Sequence, residues 1–172
     1  MINEQATKLE IRPMGVKDVD QIIQIEKQAF PTPWTKRTYM AELLDNDRAY
    51  YFVARLHGRV VGYIGMWLIA GEGHITNLAV HPQFRRRGVG WELLRTLADF
   101  ARSRGAEGLT LEVRVSNIEA QRLYTKFGFI KSGIRRGYYL DNDEDALIMW
   151  KDLTKEEEHD RRISTGPGEQ LR

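Results

Sequence analysis

The strongest constraint on the fold is a change of hydrophobic pattern within residues 71–115. The segment GEGHITNLAVHP (71–82) has the composition of a strand and stops at a proline. Residues 90–103 carry apolar side chains at helical spacing, and Gly105 follows as a helix stop signal. EGLTLEVRV (107–115) then alternates as a strand again. This order predicts a strand–helix–strand unit, and therefore a sheet with helices packed on its faces.

The rest of the chain extends this sheet on both sides of the unit. KLEIRPM (8–14) predicts a first strand, and two helices separated by prolines follow it, the second capped by Thr35. A hairpin is predicted around His57-Gly58. After the unit, a Ser116-x-x-Glu119 capping box predicts a helix, and two more strands follow. The order β-αα-β-β-β-α-β-α-β-β thus predicts a mixed sheet of about seven strands with about four helices.

Length and composition indicate one globular domain and exclude several kinds of chemistry. The 172 residues fit a single domain, assigned to residues 1–153, and the polar segment 154–172 is predicted to be a disordered tail. The absence of cysteine excludes disulfides, a thiolate nucleophile and cysteine metal sites. The four histidines lack paired ligand spacing, so no metal is expected. No signal core or membrane span is predicted, and a cytoplasmic location is expected.

The turn HPQFRRRGVG (81–90) joins the strand to the helix and combines three arginines with two glycines. A turn at a helix N-terminus presents unpaired backbone N–H groups and the positive end of the helix dipole. Gly88 and Gly90 would let a phosphate reach this backbone, and the arginines would pair with its oxygens. The pattern therefore predicts a phosphate site.

Alternative roles for this turn differ in how well they fit its residues. A solvated basic turn accounts for the same residues without any ligand. A Rossmann dinucleotide site fits poorly because Leu93 replaces the third glycine of GxGxxG. A Walker loop is excluded because no Gly-Lys-Ser/Thr follows. A different pyrophosphate ligand remains.

The spacing Arg85-x-x-Gly88-x-Gly90 after a strand resembles the coenzyme A loop of the GCN5-related N-acetyltransferase (GNAT) family. ITNLAVHP resembles the strand before that loop, and NIEAQRLYTKFGF resembles the family motif in which an asparagine and a tyrosine face the cofactor. The resemblance covers about residues 8–153. It implies the α/β (α+β) GNAT fold with a mostly antiparallel central sheet, and acetyl-CoA as co-substrate. The implied cofactor contacts are Leu78, Ala79, Val80, Arg85, Arg86, Arg87, Gly88, Val89, Gly90, Trp91, Asn117 and Tyr124.

Glu112 and Tyr124 are the candidate acid–base residues, and each has a structural alternative. Glu112 lies in the middle of a predicted central strand, where glutamate is uncommon, but an ion pair with Arg114 or a neighbouring strand would explain it. Tyr124 shares a helical stripe with Leu123 and Phe127, and this periodicity alone favours a core aromatic. The residues alone leave both alternatives open.

A narrower resemblance assigns roles to these residues. LEVRVSNIEAQRLYTKFGF (111–129) resembles the RimI-like ribosomal-protein-alanine N-acetyltransferases and their archaeal relatives. The resemblance implies that Glu112 is the general base, Tyr124 the general acid and Asn117 a cofactor contact. It implies a protein N-terminus as acceptor, which in the bacterial relatives is the N-terminal alanine of ribosomal small-subunit protein eighteen. Archaeal-type relatives accept a wider set of N-termini.

Two further segments resemble the acceptor side of the same subfamily. AFPTPW (29–34) resembles its substrate loop, which implies roles for Phe30 and Trp34. RRGYYLDNDEDALIM resembles its tyrosine-pair segment, so Tyr138 and Tyr139 are expected to wall a peptide slot, unless they only pack a hairpin. His74 stands where some archaeal relatives have a catalytic histidine. It is either a polar strand-end residue or an auxiliary base.

The implied chemistry is direct acyl transfer to an α-amino group. Such an amine has a pKa of about 7.7–8.0, whereas an ordinary glutamate, at about 4.3, is a weak base for it. Glu112 would therefore need desolvation or an intervening water. Main-chain amides of Leu78, Ala79 and Val80 would stabilise the charge that grows on the thioester oxygen.

Other functions remain open from the sequence. One is acetylation of a small amine or an internal lysine, and another is an inactive acetyl-CoA sensor. A third is a nucleic-acid-binding module that uses Arg85–Arg87, Arg135 and Arg136, although the net charge of only +2 argues against a stable nucleic-acid partner. The sequence does not indicate an oligomeric state.

Overall fold

The computed structural model describes residues 8–155, which form one seven-stranded sheet and four α-helices. The sheet order is β1-β2-β3-β4-β5-β7-β6, and only the β4–β5 pairing is parallel. The strands are Glu10–Pro13 (β1), Ala49–Leu56 (β2), Arg59–Ile69 (β3), Glu72–Val80 (β4), Gly108–Arg114 (β5), Ile130–Tyr139 (β6) and Glu144–Asp152 (β7). The helices are Val19–Ala29 (α1), Lys36–Asp45 (α2), Val89–Ser103 (α3) and Ile118–Phe127 (α4).

The predicted order of elements and the mixed, mostly antiparallel sheet are confirmed. The cap of α2 is also as predicted, because the Thr35 side chain accepts a hydrogen bond from the Thr38 N–H at 3.2 Å. The predicted disordered tail falls largely on residues 156–172, outside the described part of the chain. None of the helices within residues 8–155 is both long and apolar enough to cross a membrane.

The predicted capping box of α4 is wrong. The N-cap is Asn117, whose side-chain oxygen accepts a hydrogen bond from the Ala120 N–H at 3.1 Å. Ser116 lies one residue too early, and its N–H instead donates to Glu144 at 2.8 Å. An asparagine is as good an N-cap as a serine, so the chain has two adjacent candidates and the loop geometry selects the second.

The two faces of the sheet carry separate apolar clusters. On one face, α3 and α4 cover a cluster that includes Leu94, Leu97 and Leu111. On the other face, α1 and α2 cover a cluster that contains the buried tyrosines Tyr39 and Tyr63. Helices on both faces are the arrangement that the alternating pattern predicts.

The sheet opens between β4 and β5. Their parallel ladder comprises three pairs and ends where His74 pairs with Thr110. In the ladder between β3 and β4, Gly65 pairs with Asn77 and Met66 with Ile75, so a bulge lies at Thr76. A bulge increases local twist and re-aims a strand. Residues 75–80 therefore run along an open gap towards the arginine-glycine turn.

Candidate functional site

The arginine-glycine turn ends in an uncapped helix N-terminus. Gly88 is the N-cap of α3 and adopts a left-handed conformation, with φ 79°, which favours glycine. No side chain in the described range caps α3 at this end, and the first intrahelical bond runs from the Glu92 N–H to the Gly88 carbonyl at 3.0 Å. The N–H groups of Val89, Gly90 and Trp91 are thus available to an anion.

The three arginines of the turn have different surroundings, although all are exposed. Arg85 Nε donates to the Val80 carbonyl at 3.1 Å, which ties the turn back to the end of β4. Arg86 has a left-handed φ of 62°. The Arg87 guanidinium lies 5.4 Å from the centre of the Phe84 ring. The turn therefore has a defined backbone path and keeps its positive charge in solvent.

Gly90 has a packing role that was not predicted. A Cβ atom at Gly90 would lie 3.2 Å from Leu123 Cδ2, so the glycine lets α3 approach α4 closely. The next residue, Trp91, packs edge-on against Phe127 of α4 with ring centres 4.9 Å apart. At Gly88, in contrast, a Cβ atom would have no described heavy atom within 4 Å. The backbone at Gly88 is therefore open to solvent or to a ligand.

Some of the backbone N–H and carbonyl groups of β4 point into the gap between β4 and β5. The His81 N–H donates to the Val61 carbonyl at 2.8 Å, which makes this a hydrogen-bonded pair of the antiparallel ladder. Such pairs alternate along a ladder, so the Ala79 N–H faces β3 while the Leu78 and Val80 N–H groups face the gap. The Val80 carbonyl, which accepts from Arg85 on that side, agrees with this alternation.

Glu112 and His74 meet at the point where β4 and β5 separate. Because Leu111 and Val113 are buried against α3 and α4, the Glu112 side chain lies on the opposite face of β5. His74 Nε2 lies 2.6 Å from Glu112 Oε2, and Arg135 Nε lies 3.2 Å from Glu112 Oε1. The His74 side chain is 34% exposed and that of Glu112 only 9%. The two residues were predicted separately, and Arg135 was not predicted as their partner.

These contacts make Glu112 a stronger acid than an ordinary glutamate. The hydrogen bond from His74 holds the pKa of the Glu112 carboxyl below its usual value of 4.5, the charges of His74 and Arg135 act in the same direction, and partial burial acts against them. Of the two structural alternatives for Glu112, a pair with Arg114 is absent among residues 8–155, because Arg114 binds Asp141 and Glu144. The other alternative, a cross-strand pair, is present, since His74 of β4 and Arg135 of β6 both contact Glu112. Desolvation does not dominate at Glu112, contrary to what a directly acting carboxylate base requires.

Tyr124 is buried in the cluster under α3 and α4, with its ring 5.7 Å from that of Phe129. Its hydroxyl has no hydrogen-bond partner among residues 8–155. No fully buried side-chain oxygen in that range lacks a partner, so the Tyr124 oxygen reaches solvent. Burial raises the pKa of Tyr124 above its ordinary value of 10.0, and the nearby Tyr139 adds to this. The side chain is therefore a core aromatic whose hydroxyl stays neutral near pH 7.

The residues expected on the acceptor side occupy two separate segments. Phe30 ends α1, and Trp34 lies in the loop before α2 with its ring 5.5 Å from that of Tyr39. Tyr138 is 44% exposed and packs edge-on against Tyr139, with ring centres 5.1 Å apart.

The Tyr139 ring also contacts a cation. The Arg114 guanidinium lies 3.9 Å from the centre of the Tyr139 ring. Burial raises the pKa of Tyr139 to about 12, against the influence of Arg114. Tyr139 thus packs against Arg114 at the turn end of the β6–β7 hairpin, and Tyr138 is left partly exposed.

A polar network on the α1/α2 face was not predicted. Glu42 of α2 accepts hydrogen bonds from Tyr51 at 2.9 Å and from Trp67 Nε1 at 2.6 Å. Trp67 pairs with His74 across the ladder, and the two rings meet edge-on at 6.3 Å. Glu26 of α1 is a second buried acceptor. The sequence does indicate that Glu26 is buried, because it follows Ile22 by four residues on the buried stripe of α1.

The sequence matches the family described as the acetyltransferase (GNAT) family over residues 19–129. A Bacillus subtilis protein, provisionally named as a ribosomal protein bS18-alanine N-acetyltransferase, is 44% identical over 144 residues, covering 84% of this chain and 95% of that protein. An N-alpha-acetyltransferase of Sulfurisphaera tokodaii is 37% identical over 152 residues, covering 81% and 90%. The crystal structure of the ribosomal-protein-S18-alanine N-acetyltransferase from Escherichia coli superposes with a TM-score of 0.78 at 30% identity, covering 96% of this chain and 99% of that one.

Proposed function

Since this chain belongs to the GNAT acetyltransferase family and is therefore an acyltransferase, we propose that it transfers the acetyl group of acetyl-CoA to the N-terminal amine of a protein. The observation that carries the proposal is the His74–Glu112 pair at the mouth of the β4–β5 gap. The same strand β4 continues from His74 past the gap-facing amides to the arginine-glycine turn. Groups for binding the donor and for activating an amine thus lie along one gap.

The proposed acceptor is the N-terminal alanine of ribosomal small-subunit protein eighteen. Two of the similar proteins carry that substrate in their names, and the Bacillus subtilis relative is matched over 95% of its length. The archaeal relative is named only for the α-amino group. An α-amino acceptor is therefore common to the relatives, and the alanine of a ribosomal protein is the narrower proposal.

The proposed site for the coenzyme is the turn before α3. The uncapped N–H groups of Val89, Gly90 and Trp91 would bind the diphosphate, with Gly88 leaving room for it and the arginines adding attraction. Asn117 has its side-chain oxygen engaged in capping α4, so only its amide Nδ2 is available to the cofactor. Bound there, acetyl-CoA supplies an acetyl thioester to the gap.

The proposed base is His74, with Glu112 holding it in place. Because His74 and Arg135 hold the pKa of the Glu112 carboxyl below its usual value, Glu112 is too weak a base to take a proton directly from an amine of pKa about 7.7–8.0. When His74 Nε2 carries the proton donated to Glu112, Nδ1 has a free lone pair, and no residue of 8–155 occupies it. Glu112 would then stabilise the imidazolium, as a buried carboxylate does in hydrolase triads.

The proposal assigns stabilisation of the carbonyl oxygen to the β4 backbone and stabilisation of the departing sulfur to Tyr124. As the amine nitrogen bonds to the acetyl carbon, charge grows on the carbonyl oxygen, and the Leu78 or Val80 amide can donate to it. The carbon–sulfur bond then breaks and a thiolate leaves. A phenol whose pKa is raised above 10.0 is a weaker acid than a thiol of about 8.5, so Tyr124 would stabilise the sulfur mainly as a hydrogen-bond donor.

Peptide acetylation tests the proposal. We expect the purified protein to acetylate peptides at the N-terminus, with kcat/KM highest for an N-terminal alanine, when first residues are varied over a constant sequence. Mass spectrometry after digestion identifies the modified amine. The control is each peptide with its N-terminus blocked and an internal lysine free. Acetylation that persists in the blocked peptides contradicts the proposed α-amine acceptor.

A further inference from the structure

Glu26 of α1 is a carboxylate that is almost completely buried, with 1% of its surface exposed. Its Oε1 accepts hydrogen bonds from the hydroxyls of Tyr63, at 2.7 Å, and Tyr39. Its Oε2 accepts the backbone N–H of Trp34 at 3.0 Å. Both tyrosines stay protonated donors, because burial raises the pKa of each well above its ordinary value.

These partners belong to different parts of the chain, and Glu26 hydrogen-bonds to each of them. Trp34 lies in the loop between α1 and α2, Tyr39 lies on α2, and Tyr63 lies on the central strand β3. Asn77 of β4 joins the cluster by donating its Nδ2 to the Tyr39 oxygen at 2.5 Å. One carboxylate thus ties the loop, both helices and the strand that borders the gap.

Packing alone does not require a charge at this position. A buried carboxylate loses hydration worth several kcal/mol, and replacing buried ionic groups with apolar ones of similar volume is often neutral or stabilising. Its neighbours Ile22 and Ile25 on α1 are fully buried apolar residues, so a further one would continue the same stripe. Glu26 differs from an apolar residue in offering acceptors, and one of these holds a loop N–H.

From this geometry we propose that Glu26 is a positioning residue for the acceptor peptide: by holding the Trp34 N–H, it fixes the α1–α2 loop beside the gap. Two prolines, Pro31 and Pro33, already restrict this loop, so one anchor near its end is enough to define its path. The inference rests on the proposed function, because the loop is the expected acceptor-side segment.

The test is a set of three variants assayed with an alanine-terminal peptide. Glu26→Met removes both acceptors at similar length, and we expect KM for the peptide to rise about tenfold, as losing roughly 1.4 kcal/mol implies. The kcat and the Kd for acetyl-CoA should change less than about threefold, because the donor site lies on α3. Glu26→Gln should restore most of the peptide KM. Its carbonyl can accept from Trp34 while the tyrosine oxygens accept from its amide.

Tyr63→Phe is the matched control, because it removes a hydroxyl from the same carboxylate and leaves the Trp34 contact intact. It should lower the melting temperature without raising the peptide KM. An equal rise of KM in Tyr63→Phe, or an unchanged KM in Glu26→Met, overturns the inference. A wild type that acetylates no peptide overturns the proposed function first, and this inference with it.

Hydrogen exchange of the wild-type protein keeps the inference testable if Glu26→Met does not fold. The Trp34 amide should exchange much more slowly than that of the exposed Thr32 in the same loop. Equal exchange at the two amides would show that the loop is not anchored, and would overturn the inference.

Discussion

The two faces of the sheet are built differently. Under α3 and α4, the buried core consists almost entirely of aliphatic and aromatic side chains, such as Leu94 and Leu97. Under α1 and α2, the aromatic residues are tyrosines whose hydroxyls donate to two carboxylates, Glu26 and Glu42. The first face carries the turn proposed to bind the coenzyme through backbone groups, and the second carries the buried carboxylates and the His74–Glu112 pair.

This difference corresponds to the two tasks of an acyl transfer. A diphosphate can be bound by main-chain amides at a helix end, which an apolar core positions without further polar groups. An amine must instead lose a proton, and this requires side chains held at fixed distances. We therefore expect substitutions on the two faces to separate in kinetics. Changes at the turn should affect the coenzyme, and changes at Glu26, His74 or Glu112 on the other face should affect the amine.

The largest expected effect is on the His74–Glu112 pair, which is proposed to activate the amine. Glu112→Gln should lower kcat by about 10²–10⁴-fold, the range for a positioned acid–base group, because the amide cannot stabilise a charged His74. The Kd for acetyl-CoA should stay within about threefold of wild type, since Glu112 does not touch the turn. Steady-state kinetics and calorimetry measure the two quantities.

A double-mutant cycle tests whether His74 and Glu112 act together or whether Glu112 acts as the base without His74. If they act together, His74→Gln should be nearly as slow as Glu112→Gln, and the double variant no slower than the slower single variant. Near-normal turnover in His74→Gln would indicate that Glu112 is the base and acts through a water molecule. Near-normal turnover in Glu112→Gln would remove the pair from the mechanism altogether.

On the other face, the next largest effect is expected at the helix cap. Gly88→Asp should weaken acetyl-CoA binding by about tenfold or more, because it introduces negative charge beside the diphosphate and a side chain at φ 79°. Gly88→Asn is the matched control, since it has similar shape and tolerates this backbone without the charge. Calorimetric Kd values for both give the electrostatic part by difference. An unchanged Kd in Gly88→Asp would contradict the assignment of the turn.

Much of the face covered by α3 and α4 could be predicted from sequence, because each of its elements carries its own local sequence signal. The stripe of α3 with Leu94 and Leu97, the stop at Gly105 and the alternation around Leu111 each follow from local periodicity. The cap of α4 was missed by one residue because Ser116 and Asn117 are equivalent as isolated signals.

The face covered by α1 and α2 could not be predicted in the same way, because its contacts join residues far apart in the chain. Glu26 and Tyr63 are 37 residues apart, and His74 and Glu112 are 38 apart. A tyrosine in a strand and a glutamate on a helix are each ordinary, and only their pairing gives them a role. The lowered pKa of Glu112 could not be predicted from sequence either, because it is caused by His74 and Arg135, whereas burial acts against it.

The smallest predicted effect concerns the junction between the faces. Glu144 at the start of β7 accepts the Ser116 N–H next to α4 and binds Arg114, whose guanidinium covers Tyr139. The hydrogen bonds from Ser116, with those from Asn142 and Arg114, lower the pKa of Glu144 from 4.5 to about 2. A carboxyl with a depressed folded pKa contributes stability above its ordinary pKa, and this contribution is lost as pH falls towards the folded value.

The melting temperature of wild type should therefore exceed that of Glu144→Gln by a constant amount near neutral pH. The difference should shrink below about pH 4.5 and approach zero towards pH 2, which differential scanning fluorimetry from pH 7 to about pH 2 can follow. Glu10→Gln on the edge strand β1, where the carboxylate is exposed and makes no described side-chain contact, should show no such trend. A difference for Glu144→Gln that is independent of pH would mean that the junction is held by packing, and that the two faces meet without this carboxylate.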